Sequence, residues 1–239
     1  MTRFYIPTLG PTDWRRLLAD PTTQWRRTKS AFEMAVCWEA IRDSERGLPL
    51  EIAAAIDSAS YLKGASLIFA CPEHKVFLEG GGHPSQNDLW GLLRIPNGLA
   101  SFTIEAKAGE KLDDIVDVWL QKKATDKTNK AVRLAALQRR LGISGEETNH
   151  IRYQLLHRTV SALIEAERCT ADCAVMIVQS FNRTADEQSW KDFCSFAELM
   201  GTSAVEGRIV PSPSKTNVPL LLGWVTSPPA SAELCAAAV

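Results

Sequence analysis

The sequence predicts an α/β fold, a mixed central sheet flanked by helices. Three observations carry that expectation. Apolar residues recur at helical spacing over 29–42, 111–141 and 149–168. Between the first and second of these the period drops to two, around the turn signal Pro96-Asn97-Gly98. The stretch from Lys107 to Ala174 is long enough to cross over between two parallel strands.

In chain order, Arg3–Pro7 reads as a short strand and Thr12-Asp13 caps a short helix through Leu18, stopped by Asp20-Pro21. Phe32, Val36 and Ile41 place a helix over Lys29–Arg42, and Pro49 starts another that runs to Tyr61. Ser66–Ala70 and Val76–Leu78 read as strands, Gly80-Gly81-Gly82-His83-Pro84 as a loop, and Leu89–Arg94 and Leu99–Lys107 as a hairpin. Two helical stretches follow, then a buried strand at Ala174–Ser180, a helix over Ala185–Met200, a Pro/Ser loop at 211–214 and a last strand at Leu220–Val225. One domain over 1–227 is expected, with a flexible tail over 228–239.

Composition narrows the function classes. Of 239 residues, 45% are apolar and 23% charged, which excludes a disordered, collagen-like or coiled-coil chain. No apolar run approaches the roughly 18 residues a membrane helix needs. Met1–Pro7 has no secretory core, so a cytoplasmic protein with no membrane partner is expected. Six cysteines without a CxxC pair read as thiols rather than as a zinc site. The net charge of −1 hides a strong asymmetry. Lys122, Lys123, Lys127, Lys130, Arg133, Arg139 and Arg140 crowd one segment that holds a single acid, Asp126. That stripe suits the electrostatic part of nucleic-acid binding; a solvated helix face is the competing reading.

The hairpin carries the chemical signal. Centred between Pro96 and Asn97, it pairs Asp88 with Glu105, Trp90 with Thr103 and Leu92 with Ser101. Alternation puts these on one face with Lys107 and leaves Leu89, Gly91, Leu93, Ala100, Phe102, Ile104 and Ala106 on the other. Two carboxylates and a lysine thus meet at the open end of the hairpin. Carboxylates of this kind hold Mg²⁺, which takes oxygen ligands and keeps several waters. The metal polarises a phosphoryl oxygen, and a lysine beside it orients water or stabilises developing charge.

Asn87-Asp88, then Glu105-Ala106-Lys107, resembles the motif of the PD-(D/E)XK nuclease superfamily, whose restriction-endonuclease-like core has a similar order of elements over residues 30–180. The resemblance implies Asp88 and Glu105 as ligands for Mg²⁺ or Mn²⁺, Lys107 as the catalytic lysine, and Glu39 or Glu33 as a further acid from the first core helix. It also implies DNA as the nucleic-acid partner, and a homodimer as one way to cut two strands. The chain departs from the pattern in having Asn87 where the motif has Pro, and in lacking a recognisable specificity domain. About one E-x-K triplet is expected by chance in a chain of this composition, and a second copy, Glu73-His74-Lys75, lies beside Pro72 with no acid placed across a predicted hairpin.

Gln154 on the following helix is similar to a glutamine that some of these nucleases place near the site, and Arg158 stands where a tyrosine is expected. Arg152 and Arg158 are candidates for phosphate contacts. The glycine run lacks the spacing of a phosphate-binding loop, but as a hinge it brings His83 and Gln86 toward the site. Two other readings compete. One is a non-catalytic module that binds nucleic acid or protein on the same fold, its site filled by a salt bridge. The other is a small-molecule hydrolase or transferase built around Arg152, His157 and Arg158 in an enclosed pocket.

Overall fold

A computed structural model describes residues 3–123, 129–143 and 145–237. Six strands form one mixed sheet. β1 (Ser66–Val76), β2 (Ser85–Ile95) and β3 (Gly98–Lys107) make an antiparallel meander. β4 (Cys173–Ser180) runs parallel to β3. β5 (Arg208–Ser212) and β6 (Leu220–Thr226) complete the order β1-β2-β3-β4-β6-β5, with β6 parallel to β4 and β5 antiparallel at the edge.

Helices cover both faces. The one-turn α1 (Pro21–Gln24) is capped by Asp20, whose Oδ1 accepts from the Thr22 and Thr23 amides. α2 (Ser30–Ala40) and α3 (Leu50–Asp57) lie over the face that carries Leu89, Leu93, Phe102, Ile104, Val175 and Ile177. α4 (Val116–Gln121), α5 (Lys130–Leu141), α6 (Tyr153–Arg168) and α7 (Glu187–Leu199) cover the opposite face, over Leu92, Met176, Val178 and Leu222. Beyond β6 the chain returns over α2, where the Ala230 amide donates to Glu33 Oε2 at 2.7 Å, and α8 (Ala232–Ala237) follows.

The hairpin has the predicted pairs Trp90–Thr103 and Leu92–Ser101, and its ladder ends at Leu89–Ile104, one residue short of the expected Asp88–Glu105 pair. Its apolar face is buried, with Leu89, Leu93, Ala100, Phe102 and Ile104 sealed from solvent. Gly91 permits this packing, because a Cβ there would lie 2.6 Å from the Phe102 ring and 2.8 Å from the Phe69 carbonyl.

Four elements differ from the sequence expectation. Ser66–Val76 is one strand rather than two, running through Pro72; β1 is an edge strand, where a missing amide costs no ladder bond. The expected helical stretch over 111–141 holds two helices, because Asn129 starts α5 afresh by accepting from the Val132 amide at 3.1 Å. Residues 208–212 form β5 around Pro211, again at an edge. Arg3–Pro7 contributes only the Phe4–Ala70 bridge to the sheet.

Candidate active site at the open end of the hairpin

Alternation along β3 turns Ser101, Thr103, Glu105 and Lys107 toward α6, and all four are buried. On α6, Gln154 and Arg158 are one turn apart and so share a face. The two elements meet on the carboxylate of Glu105. Lys107 Nζ donates to its Oε1 at 2.7 Å, Gln154 Nε2 donates to the same oxygen at 2.7 Å, and Arg158 Nε donates to Oε2 at 2.6 Å. Lys107 also donates to Gln154 Oε1 at 3.4 Å. Asp88 sits across the hairpin, its Oδ2 accepting from the Ala106 amide at 2.6 Å. The structure therefore brings together Asp88, Glu105, Lys107, Gln154 and Arg158.

The electrostatics are uneven. Burial pushes the Glu105 carboxyl up, but Lys107 and Arg158 outweigh it and hold the group below its ordinary value. Burial likewise works against the Lys107 ammonium, and Glu105 and Asp88 reverse this, so the lysine stays charged. Asp88 behaves oppositely: burial first and Glu105 second push it up to about 7.

A residue the sequence reading passed over stands beside it. Glu73, from the discounted second E-x-K copy, lies on β1 between the pairs Pro72–Leu89 and His74–Asn87, which places it across from Asp88. Its backbone is left-handed, with φ of 53°. Its Oε2 accepts from Gln86 Nε2 at 2.6 Å. Burial, then Asp88, push Glu73 up to about 8. Asp113 is also raised, by burial and then by Glu105. Glu73 and Asp88 line one cleft of about 310 Å³ with Lys29, Ser30 and Glu110. Only the register of β1 against β2 reveals this acid, and a strand read as two pieces does not supply that register.

Glu39 and Glu33 lie elsewhere. Glu39 accepts from Trp14 Nε1 at 2.8 Å and lies 3.5 Å from Arg42, and Glu33 accepts from the Thr28 and Ala230 amides. Neither joins the Glu105 cluster. Both carboxylates are occupied by the chain segments that pack on α2, a use no helical spacing discloses.

A second cleft, of about 440 Å³, opens on the other side of Gln86 and Arg158. Lys122, Lys123, Lys130 and Arg133 of the basic stripe line it, whereas Arg139 and Arg140 of the same stripe pair with Glu79 and Glu167 away from it. Lys127 lies outside the described residues. Arg152 is not on that wall; it donates to Asp192 Oδ2 on α7 at 2.6 Å and to the Asp113 carbonyl at 3.1 Å.

Among the described residues no three His, Cys, Asp or Glu side chains converge closely enough to form an all-protein metal cage. Mg²⁺ does not require one, since it binds through one or two carboxylates and keeps its waters. The donor chemistry of Asp88 and Glu105 fits such an ion. The raised carboxyls of Asp88 and Glu73 mark a place where negative charge lacks compensation.

Among the described residues no helix is long and apolar enough to cross a membrane. No curated protein and no solved structure matches the chain. Residues 7–229 match the family described as a domain of unknown function (DUF6946), and the chain belongs to that family.

Proposed function

We propose that this protein is a nuclease, dependent on Mg²⁺ or Mn²⁺, that hydrolyses phosphodiester bonds in DNA. The observation that carries the reading is the convergence of Lys107, Gln154 and Arg158 on Glu105, with Asp88 across the hairpin. Asp88 and Glu105 would hold the cation, which when bound supplies positive charge to a phosphoryl oxygen and acidifies a water. The remaining roles belong to the chain. Lys107 is a charged donor, so it orients the attacking water and steadies negative charge on the phosphoryl group rather than abstracting a proton. Gln154 bonds both Glu105 and Lys107, fixing their separation. Arg158 fixes the carboxylate from the other side. The lysines of the neighbouring cleft give the phosphate backbone its electrostatic attraction.

One observation favours a second reading, a non-catalytic nucleic-acid-binding module: both oxygens of Glu105 already accept from side-chain donors, two of them cationic. The test is incubation of circular single- and double-stranded DNA with the protein in Mg²⁺, Mn²⁺ or EDTA, beside Glu105→Gln. Metal-dependent cutting that disappears in the variant supports the nuclease. DNA binding without cutting in any metal favours the module.

A further inference from the structure

The basic cleft beside the Glu105 cluster has a composition that a general grip on nucleic acid does not explain. It lies between the glycine loop that joins β1 to β2, the end of α4, the start of α5 and the first turns of α6. Among the described residues five cationic side chains line it: Lys122, Lys123, Lys130, Arg133 and Arg158. Two are balanced by carboxylates, Lys122 by Asp114 and Arg158 by Glu105. The other three have, among the described residues, only neutral partners or none. Lys130 donates to the carbonyls of Trp119 and Lys122. Arg133 donates to the carbonyls of Gly81 at 2.6 Å and His83 at 2.7 Å. Lys123 is exposed and has no ion pair or hydrogen bond among the described residues. Arg133 is only 5% exposed, and its buried Nε has no hydrogen-bond partner among the described residues. Among the described residues that line it, the cleft sets one carboxylate, Asp113, against these three cations.

The aromatic groups in the wall do not serve a base. The Tyr153 ring stacks on Trp119 at 3.9 Å and 9°, covering one face. Lys130 Nζ lies 5.1 Å from the Trp119 centroid and so takes the other face. Tyr153 packs in turn on His157 at 4.8 Å. A base stacking here would have to displace one of these groups, so the cleft selects by charge. His157 adds no positive charge, because burial and then Arg158 and Arg133 hold it neutral. Its Nδ1 and Arg158 Nη1 meet on Ser85 Oγ at 2.8 and 3.2 Å, which fixes the inner wall.

An internal phosphodiester carries one negative charge, whereas a terminal phosphomonoester carries about 1.5 to 2 at neutral pH. From the surplus of three cations over one acid, the blocked stacking faces and the direct continuity with the cluster through Arg158, we infer that this cleft receives the terminal phosphomonoester of a nucleic-acid strand. Strands with a phosphorylated end are then the preferred substrates. The inference rests on the nuclease reading for its choice of a strand over a small phosphate ester.

The test is binding of labelled single-stranded 12-mers to the wild-type protein in EDTA, which removes cutting from the readout. The 12-mers carry a 5′-phosphate, a 3′-phosphate or hydroxyl ends only. One phosphorylated form binds about tenfold or more tightly than the hydroxyl form, and Lys123→Glu reduces that ratio to about twofold or less. Equal affinity for all three overturns the inference. Ribose 5-phosphate serves as competitor. If it displaces the 12-mer at a concentration similar to the phosphorylated 12-mer itself, the cleft belongs to small phosphate esters and the strand-end inference fails. Cutting of circular DNA, which has no ends, tests the nuclease reading separately, so either claim can fall while the other stands.

Discussion

Arg158 donates from Nε to Oε2 of Glu105 at 2.6 Å, a bond that joins the middle of α6 to the end of β3. The pair is almost wholly buried, with side chains 10% and 3% exposed. Removing Arg158 leaves Glu105 with Lys107 as its remaining cation, so the loss is that of one buried charge-assisted hydrogen bond, about 1.5–3 kcal/mol. Arg158→Met should therefore lower unfolding stability by that order in urea titration. Adding Glu105→Gln to the variant should deepen the loss, because the buried Lys107 ammonium then loses its carboxylate partner as well. A loss under about 1 kcal/mol in the single variant would show that the pair is not buried as described.

Glu73 and Asp88 should show the opposite sign. The Glu73 carboxyl is raised from 4.5 to about 8, so the folded state holds its proton over that interval more tightly than the unfolded chain does. The stabilising contribution is complete below about 4.5 and is lost as pH rises toward 8. Glu73→Gln should raise the thermal midpoint at pH 8 and leave it nearly unchanged at pH 4.5.

His157 titrates in the other sense. Burial holds its folded-state value well below 6.5, and Arg158 and Arg133 add to this. Its contribution is complete above about 6.5 and is lost as pH falls through that value toward the folded-state one. The stability advantage of the wild type over His157→Gln should shrink between pH 7 and pH 5 in paired melts. An advantage that grows over that range would mean a charged histidine in the fold.

Gly80 holds the loop over the basic cleft. Its φ is +91°, and a Cβ there would lie 2.7 Å from the backbone nitrogen of Arg133. Gly80→Ala combines an unfavourable backbone with a clash that only backbone movement relieves. It should cost about 1–3 kcal/mol in denaturant unfolding.

Much of the site was legible because a hairpin translates spacing into position. Once Pro96-Asn97 is the turn, alternation alone places Glu105 and Lys107 on one face with Asp88, and the pairs Leu89–Ile104 and Trp90–Thr103 have the expected register. Helical spacing likewise put Gln154 and Arg158 on one face of α6. Contacts set by tertiary packing were not legible. Glu39 is held by Trp14, 25 residues earlier, and Glu73 meets Asp88 only because β1 continues through Pro72. The edge strand β5 was hidden by Pro211, which argues against a strand everywhere except at an edge. The long helical expectation over 111–141 failed because apolar periodicity does not register a fresh cap such as Asn129.

The most direct test of the nuclease reading is the single-turnover cleavage rate of DNA in saturating Mg²⁺ for wild type, Lys107→Ala and Lys107→Arg, with the melting temperature of each recorded alongside. A charged donor at position 107 that acts on the phosphoryl group predicts a fall of about 10²–10³-fold in Lys107→Ala, with partial recovery in Lys107→Arg and all three proteins folded. Equal rates in the three proteins, or no Mg²⁺-dependent cleavage by folded wild type, would contradict it and leave the Glu105 cluster as a structural clasp between β3 and α6.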